Sequence, residues 1–445
     1  MSCNDLFFVG NDTDETLHQR TQLSDIVLSK GITKKNELIE FLRSELSEAF
    51  ECNVRFWLQG SYKSHTLIKP VDRFSSYDID IGIYLFFDAE SEEVDSKDVK
   101  STLKDALSSY CQINDEVEPQ KSKNACEGLK YSTFLTIDTP IYYIDGSSMK
   151  LATDDGWIES DPKAIQDWLT NYYSDTTERA KMKRLVRYFK AWINVKWQGT
   201  EFKKIPSLAV NVLIAQHMKN HDREDDSFLY TALSICEEIE SAFIVSNPLS
   251  GSNLLTMPED SEIFAHQKLD ELKKICLSCI DSSEFEKGVG FSNLFQHYFP
   301  QVNVSCSLGT TGLPAVVTTP EISICRYDKD RNHIATITDD KLIAKKGDTL
   351  TFTISNQDAF NIYSDAQWTV RNIGEQAKDA NDIGYKVIGT LSESHKTGTS
   401  YTGPHTIECI ITHNGSVKGF KAIHVQVKPS STLTRRKKIF KGLRR

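Results

Sequence analysis

Two aspartates, one residue apart in an apolar stretch, are the side chains of this sequence best suited to do chemistry. The stretch from Tyr77 to Leu85 reads YDIDIGIYL and alternates with the period of two typical of a β-strand. Asp78 and Asp80 therefore share one face, roughly 7 Å apart at a rise of about 3.3 Å per residue. Such carboxylates can converge on a pair of divalent cations. A water-facing strand edge is the alternative from this pattern alone.

A glycine–serine pair precedes the strand and suits the binding of phosphate. Gly60 permits a close backbone approach, and Ser61 supplies a hydroxyl and an amide where a turn opens a helix. A Gly-Ser turn followed by an Asp-x-Asp strand resembles the polymerase-β-type nucleotidyltransferase superfamily. The fuller pattern resembles the bacterial cGAS/DncV-like synthases of cyclic oligonucleotides, which are related to oligoadenylate synthetase. That pattern consists of Gln59-Gly60-Ser61, Thr66, Lys69-Pro70 and Tyr77-Asp78-Ile79-Asp80.

A third carboxylate lies in the next strand-like run that carries a charge. In the run LTIDTPIYYI, Asp138 is a lone acid among apolar residues, and Pro140 after it suits an edge or a bulge. Taken alone, such a residue is often only a strand-end charge. The phrase Ile137-Asp138-Thr139-Pro140 resembles the strand that bears the third aspartate of the family. The resemblance therefore implies that Asp78, Asp80 and Asp138 are catalytic and hold metal, expected as two Mg²⁺ ions with Mn²⁺ as a substitute.

Two further residues are implied in nucleotide binding, beside Gln59, Gly60 and Ser61. The amphipathic pattern from Arg179 to Lys196 predicts a long helix with a basic face, which could equally be a solvated surface. The run RLVRYFKAW resembles the family helix whose lysine grips the donor triphosphate, which corresponds to Lys190. Ser207 is predicted as the N-cap of the next helix, and the matching serine of the family contacts the nucleotide.

Bulk properties indicate a globular protein that acts in the cytoplasm. The net charge of −10 argues against indiscriminate binding of nucleic acid by the whole surface. No apolar run approaches the roughly 20 residues of a membrane span, and no secretory signal is recognisable. The ten scattered cysteines are therefore expected to be reduced thiols.

The predicted fold class is α+β: a polymerase-β-like nucleotidyltransferase sheet with a helical lobe, followed by an all-β sandwich. The chain from Leu17 to Phe50 is predicted to be a scaffold helix, and Asn414-Gly415 to mark a hairpin of the sandwich. The sandwich resembles the adenylyl/guanylyl and SMODS C-terminal sensor (AGS-C) domain. The predicted domains are 1–160 for the core, 161–305 for the helical lobe, 318–430 for the sandwich and 431–445 for a basic tail.

The resemblance implies an enzyme that joins nucleoside triphosphates, ATP among them, into a cyclic oligonucleotide messenger for antiphage defence (CBASS). A downstream effector would respond to the product, and a nucleic acid or a protein could act as activator. Two alternatives stay open: a linear nucleotidyltransferase that modifies RNA, protein or a small molecule, and a non-catalytic nucleotide sensor.

Overall fold

The computed structural model describes residues 2–10, 15–87, 94–132, 134–146, 148–302, 318–413 and 416–430. The chain divides into two compact units: Met1–Gly312 with Lys378–Tyr385, and Leu313–Ala377 with Lys386–Arg445. The predicted basic tail, 431–445, lies outside the described residues. Within the described ranges, no helix is long and apolar enough to cross a membrane.

A mixed sheet forms the base of the first unit. Its described strands are β1 (Asn53–Gln59), β2 (Tyr77–Phe86), β3 (Val117–Pro119), β4 (Glu127–Tyr131), β5 (Leu135–Thr139), β6 (Ile141–Asp145), β7 (Ser148–Thr153) and β8 (Gly156–Glu159). β2 is central, because it pairs antiparallel with β1 and parallel first with β5 and then with β6. Pro140 separates these two partners, and its carbonyl accepts a 2.9 Å hydrogen bond from the Ile83 amide.

Helices cover the sheet and continue into a helical lobe. The described helices of this unit are α1 (Cys3–Phe7), α2 (Leu17–Thr21), α3 (Asp25–Phe50), α4 (Gly60–Lys63), α5 (Ser96–Gln112), α6 (Pro162–Asn171), α7 (Thr176–Lys196), α8 (Ser207–His217), α9 (Glu224–Ser241), α10 (Glu259–Cys279) and α11 (Glu284–Phe295). α3 and α5 bury their apolar stripes against the isoleucines of β2. Because strand side chains alternate between faces, the aspartates of β2 lie on the face opposite to these helices.

The prediction of one helix from Leu17 to Phe50 is wrong in one respect, because the structure splits it. α2 ends at Thr21, and α3 begins only after Ser24. The Ser24 hydroxyl accepts a 3.3 Å hydrogen bond from the Val27 amide, which is an N-cap interaction. A serine that caps a new helix therefore overrides the apolar periodicity on either side of it.

The core of the helical lobe contains an aromatic cluster around Phe7 of α1. The Phe7 ring is fully buried, and its centroid lies 4.8 Å from that of Phe291 and 5.4 Å from that of Tyr188. Both rings meet it edge-on, the geometry that aromatic quadrupoles favour. The first residues of the chain therefore pack in the helical lobe.

The C-terminal region forms two sheets. Its described strands are β9 (Ile322–Tyr327), β10 (His333–Ile337), β11 (Lys341–Lys345), β12 (Thr349–Ile354), β13 (Asp365–Asn372), β14 (Gly384–Thr390), β15 (His395–Gly398), β16 (Gly403–His413) and β17 (Ser416–Lys428), with a short helix α12 (Glu375–Asp379). The sheet orders are β10-β9-β12-β15 and β11-β17-β16-β13-β14. Buried Trp368 of one sheet lies 5.9 Å, between ring centroids, from Phe352 of the other. The predicted hairpin residues 414 and 415 lie outside the described residues, although β16 and β17 pair antiparallel.

Candidate active site

The three predicted aspartates lie together on the sheet. Because β2 and β5 are parallel neighbours, their register places Asp78 beside Thr136 and Asp80 beside Asp138. One carboxylate oxygen from each aspartate lies within 4.8 Å of the other two. The parallel pairing of two short strands is therefore what assembles the cluster.

The two aspartates of β2 have pKa values above those of ordinary surface acids. Burial raises the pKa of Asp78 above its usual value, and the nearby charges of Asp80 and Asp138 raise it further. Burial, followed by the charge of Asp138, likewise raises the pKa of Asp80. Burial and the neighbouring negative charges both disfavour the ionised carboxylates. A bound cation would offset these effects and stabilise the ionised forms. Three convergent carboxylates are the oxygen donors that Mg²⁺ prefers, and these residues fit such an ion.

Neighbouring polar groups hold the cluster in place. The Thr136 hydroxyl donates to Asp78 Oδ1 over 3.0 Å. Asp138 accepts from Gln120 Nε2 over 3.1 Å through Oδ1 and from Lys123 Nζ through Oδ2. Gln120 and Lys123 were not predicted, since no local sequence pattern links their loop to Asp138.

Gly60 packs directly against the cluster. It opens α4 immediately after β1 and has φ of +59°, in the left-handed region. A Cβ atom at this position would lie 1.9 Å from Asp80 Oδ2, which is far inside van der Waals contact. Only glycine fits between this turn and Asp80, so the backbone amides of α4 can lie beside the carboxylates.

Lys190 reaches the same turn from the helical lobe. Its Nζ donates to Ser61 Oγ over 2.7 Å and to the Thr66 carbonyl over 3.1 Å. Burial lowers the pKa of Lys190 to about 7, although the charge of Asp80 opposes the shift. The predicted pair Ser61 and Lys190 is therefore in direct contact, although the two residues lie on different elements.

Gln59 lies at the site with its side-chain amide already engaged. Its Nε2 donates to the Tyr84 hydroxyl over 2.8 Å, and its Oε1 accepts from the Tyr142 hydroxyl over 3.2 Å. The two tyrosine rings stack with centroids 4.8 Å apart. These contacts fix the end of β1 that leads into Gly60.

A cleft of about 930 Å³ opens above these residues. Of the predicted residues, those that line it are Gln59, Gly60, Ser61, Asp78, Asp80 and Ser207. Asp138 and Lys190 are not among the lining residues, but Asp138 belongs to the cluster and Lys190 contacts Ser61 of the turn. The volume is sufficient for nucleotide-sized ligands, since small-molecule sites usually measure about 300–1,000 Å³.

The predicted capping role of Ser207 is wrong. Pro206 is the N-cap of α8, and Ser207 is the first helical residue. Among the described residues, no side chain caps this end, so the first amides of α8 have no side-chain capping oxygen there. Ser207 nevertheless lines the cleft at the positive end of the helix dipole.

Further cleft residues that were not predicted lie on α8 and on the segment 247–252. Asn211 is 5% exposed and lines the cleft; its Nδ2 donates to the Ser207 carbonyl over 2.7 Å. A lone asparagine within the apolar run LAVNVLIA was a signal that could have found it. Asn247, Ser250 and Ser252 line the cleft from a turn, and no pattern in the sequence indicates them.

Comparisons with known proteins place the chain in a family. The family model "Cyclic GMP-AMP synthase DncV-like, nucleotidyltransferase domain" matches residues 54–142, and "Adenylyl/Guanylyl and SMODS C-terminal sensor domain" matches residues 311–428. A cyclic GMP-AMP synthase of Escherichia albertii is 71% identical over 436 residues, which cover 98% of each chain. The chain belongs to the DncV-like cyclic GMP-AMP synthase family. This membership confirms the predicted family and enzyme class, a nucleotidyltransferase that makes cyclic oligonucleotides.

More distant relatives extend the comparison. A cyclic GMP-AMP synthase of Vibrio cholerae is 23% identical over 219 residues, which cover 38% of this chain and 49% of the relative. The crystal structure of Escherichia coli DncV bound to 3′-deoxy GTP matches with a TM-score of 0.55 at 18% identity. It covers 66% of this chain and 96% of that one. At this identity the likeness shows the fold, and it confirms the predicted nucleotidyltransferase architecture.

Proposed function

We propose that this DncV-like synthase joins ATP and GTP into cyclic GMP-AMP in a reaction that depends on Mg²⁺. The observation that carries the proposal is the convergence of three carboxylates, within 4.8 Å, on the sheet beside the Gly60 turn and its nucleotide-sized cleft. The choice of product follows the name of the Escherichia albertii relative, which is 71% identical.

The proposed chemistry is two successive nucleotidyl transfers. A ribose hydroxyl attacks an α-phosphate, a phosphodiester bond forms, and the bond to the leaving pyrophosphate breaks. When bound, divalent cations supply charge neutralisation and lower the pKa of the attacking hydroxyl. Asp78, Asp80 and Asp138 would hold them, expected as two Mg²⁺ ions with Mn²⁺ as a substitute.

The chain's own groups would bind and orient the triphosphate. The amides of α4 at Gly60 and Ser61 would face phosphate oxygens, and Lys190 would place its charge beside Ser61. Ser207 and the uncapped amides of α8 would contact the nucleotide from the other side of the cleft. Gln59 would act mainly by fixing the turn, since both of its amide atoms are engaged.

The wider biology follows from the family resemblance. The product would serve as a messenger in antiphage defence, made in the cytoplasm and read by a downstream effector. We also propose the domain limits 1–160, 161–305, 318–430 and 431–445, with the β-sandwich as the sensor for an activating ligand. A nucleic acid or a protein would fit that role.

The test is product analysis with the full chain, ATP, GTP and Mg²⁺, followed by phosphatase treatment and mass spectrometry. A cyclic product resists phosphatase because it has no terminal phosphate, and its mass identifies cyclic GMP-AMP. A phosphatase-sensitive product would instead indicate a linear transferase. The double variant Asp78→Asn/Asp80→Asn is the negative control.

A further inference from the structure

Lys123 makes the closest cationic contact with the three-aspartate cluster in the described part of the chain. Its ammonium donates to Asp138 Oδ2, while Gln120 Nε2 takes Oδ1 over 3.1 Å. Lys190 is the other nearby cation, but its Nζ binds Ser61 and Thr66. The charge of Lys123 also lowers the pKa of Asp78 and of Asp80, against the raising effect of burial. Lys123 is therefore the counter-ion of the cluster.

Hydrogen bonds fix the backbone around Lys123. The Lys100 side chain is 5% exposed, and its Nζ donates to the carbonyls of Lys123 and Asn124 over 2.8 Å each. The Asn124 side chain accepts from the Asp154 amide over 2.9 Å. Lys123 and Cys126 also form a backbone bridge. The loop is therefore anchored through its main chain.

The side chain of Lys123, in contrast, can move away from Asp138 into solvent. It is 51% exposed, whereas the Asp138 side chain is 13% exposed. An exposed lysine can change rotamer without moving an anchored backbone, while the carboxylate it pairs with stays in place. Another cation could therefore replace Lys123 as the partner of Asp138.

A divalent cation bound to Asp138 Oδ2 would compete with the Lys123 ammonium for the same oxygen atom. Like charges a few ångströms apart repel, and the repulsion is larger where protein screens it less than water does. We propose that Lys123 is a resident counter-ion of Asp138 that the incoming divalent cation displaces, so that Lys123 sets the metal affinity of the site. This inference rests on the proposed function, because the cation site at these aspartates is part of that proposal.

The experiment measures Mn²⁺ binding to the full chain without nucleotide, from the electron paramagnetic resonance signal of free Mn²⁺. Lys123→Gln removes the competing ammonium. Lys121→Gln is the matched control, because Lys121 is an exposed residue of the same loop and its loss changes the net charge equally. We expect Lys123→Gln to bind Mn²⁺ about three- to tenfold more tightly than Lys121→Gln. The effect is this small because the ion pair of Lys123 and Asp138 is partly exposed to solvent, which weakens it.

Thermal unfolding supplies a second readout. In EDTA, Lys123→Gln leaves the carboxylates without their counter-ion, so we expect a lower Tm than for Lys121→Gln. Saturating Mn²⁺ should remove this difference. In an Asp138→Asn background, the substitution of Lys123 should change Mn²⁺ affinity, relative to the Lys121 control, by less than it does in the wild type.

The outcomes separate this inference from the proposed function. Equal or weaker Mn²⁺ binding by Lys123→Gln, with normal binding by the wild type, overturns the exchange and leaves the metal site standing. Absence of Mn²⁺ binding by the folded wild type overturns the metal site and the exchange together.

Discussion

Two groups of charged side chains in the first unit differ in how their charges are balanced. In the helical lobe, Arg184 and Glu224 form a two-pronged pair with N–O distances of 2.6 and 3.0 Å, and Tyr188 adds a third hydrogen bond. On the sheet, three carboxylates converge within 4.8 Å, with Lys123 as their contacting cation. The first group balances its charge internally, whereas the second does not.

The difference distinguishes structural from functional charge. A balanced buried pair holds two elements in register, and removal of one partner leaves an uncompensated charge. An unbalanced cluster lowers the stability of the fold, so its presence points to a ligand that completes it. The sheet cluster should therefore matter for activity and the lobe pair for stability.

The largest expected effect is on catalysis. Asp78→Asn/Asp80→Asn should lower the rate of pyrophosphate release by about a thousandfold or more, because the developing charge loses its stabilisation. The same variant should unfold at an equal or higher temperature in EDTA, since repulsion within the cluster is relieved. A stopped assay for pyrophosphate and a thermal scan measure both. A large fall in Tm would mean that the aspartates are structural.

The lobe pair should show the reverse. Arg184→Met leaves Glu224 buried at 4% exposure without its partner, and we expect the free energy of unfolding to fall by about 3–5 kcal/mol. Urea unfolding measures this loss. The rate per folded molecule, at low temperature, should stay near that of the wild type. An equally large loss of rate in the folded fraction would contradict the division of roles.

Two buried lysines of α7, Lys181 and Lys190, allow the same distinction between structural and functional charge to be tested within one helix. Lys190→Met should raise KM for nucleoside triphosphate by up to roughly 10²-fold, because the proposed hydrogen bond to a charged phosphate, of about 1.5–3 kcal/mol, would be lost. Lys181, whose Nζ binds Asn220 and Ser227, is the matched control. Lys181→Met should lower Tm and leave KM unchanged. Steady-state kinetics with both variants decide, and equal KM values would remove Lys190 from the phosphate site.

The smallest expected effect is a pH dependence of stability. Because the fold raises the pKa of Asp78 from 3.8 to about 7 and of Asp80 to about 6, folding favours their protonated forms. Their contribution is fully favourable below pH 3.8 and is lost as the pH rises through these folded values. In EDTA, Tm should therefore fall by a few degrees more in the wild type than in Asp78→Asn/Asp80→Asn between pH 5 and about 8. Parallel curves for the two proteins would contradict the raised pKa values.

Much of the site could be predicted because its residues sit in local patterns. The strand alternation of Asp78 and Asp80 is a property of consecutive residues, and the lone acid Asp138 stands out in an apolar run. The Gly60 turn follows from its position between β1 and α4. Family resemblance then supplied the order in which these pieces belong together.

The remainder depends on contacts between distant residues, which periodicity does not encode. The hydrogen-bond partners of Gln59 are Tyr84 and Tyr142, 25 and 83 residues away. Lys123 meets Asp138 only because β4 pairs with β5 and turns its loop toward the cluster. The aspartates could therefore be predicted from local patterns, but the partners that hold them could not.

The most direct test of the three-aspartate centre is pyrophosphate release by Asp138→Asn with Mg²⁺, ATP and GTP. Asp138 comes from a different strand than its two partners, so its loss tests the assembled cluster and not merely the Asp-x-Asp strand. If the three carboxylates form the catalytic centre, the folded variant releases pyrophosphate only at background rate. A folded Asp138→Asn protein that keeps the wild-type rate would show that Asp138 is not part of the catalytic centre.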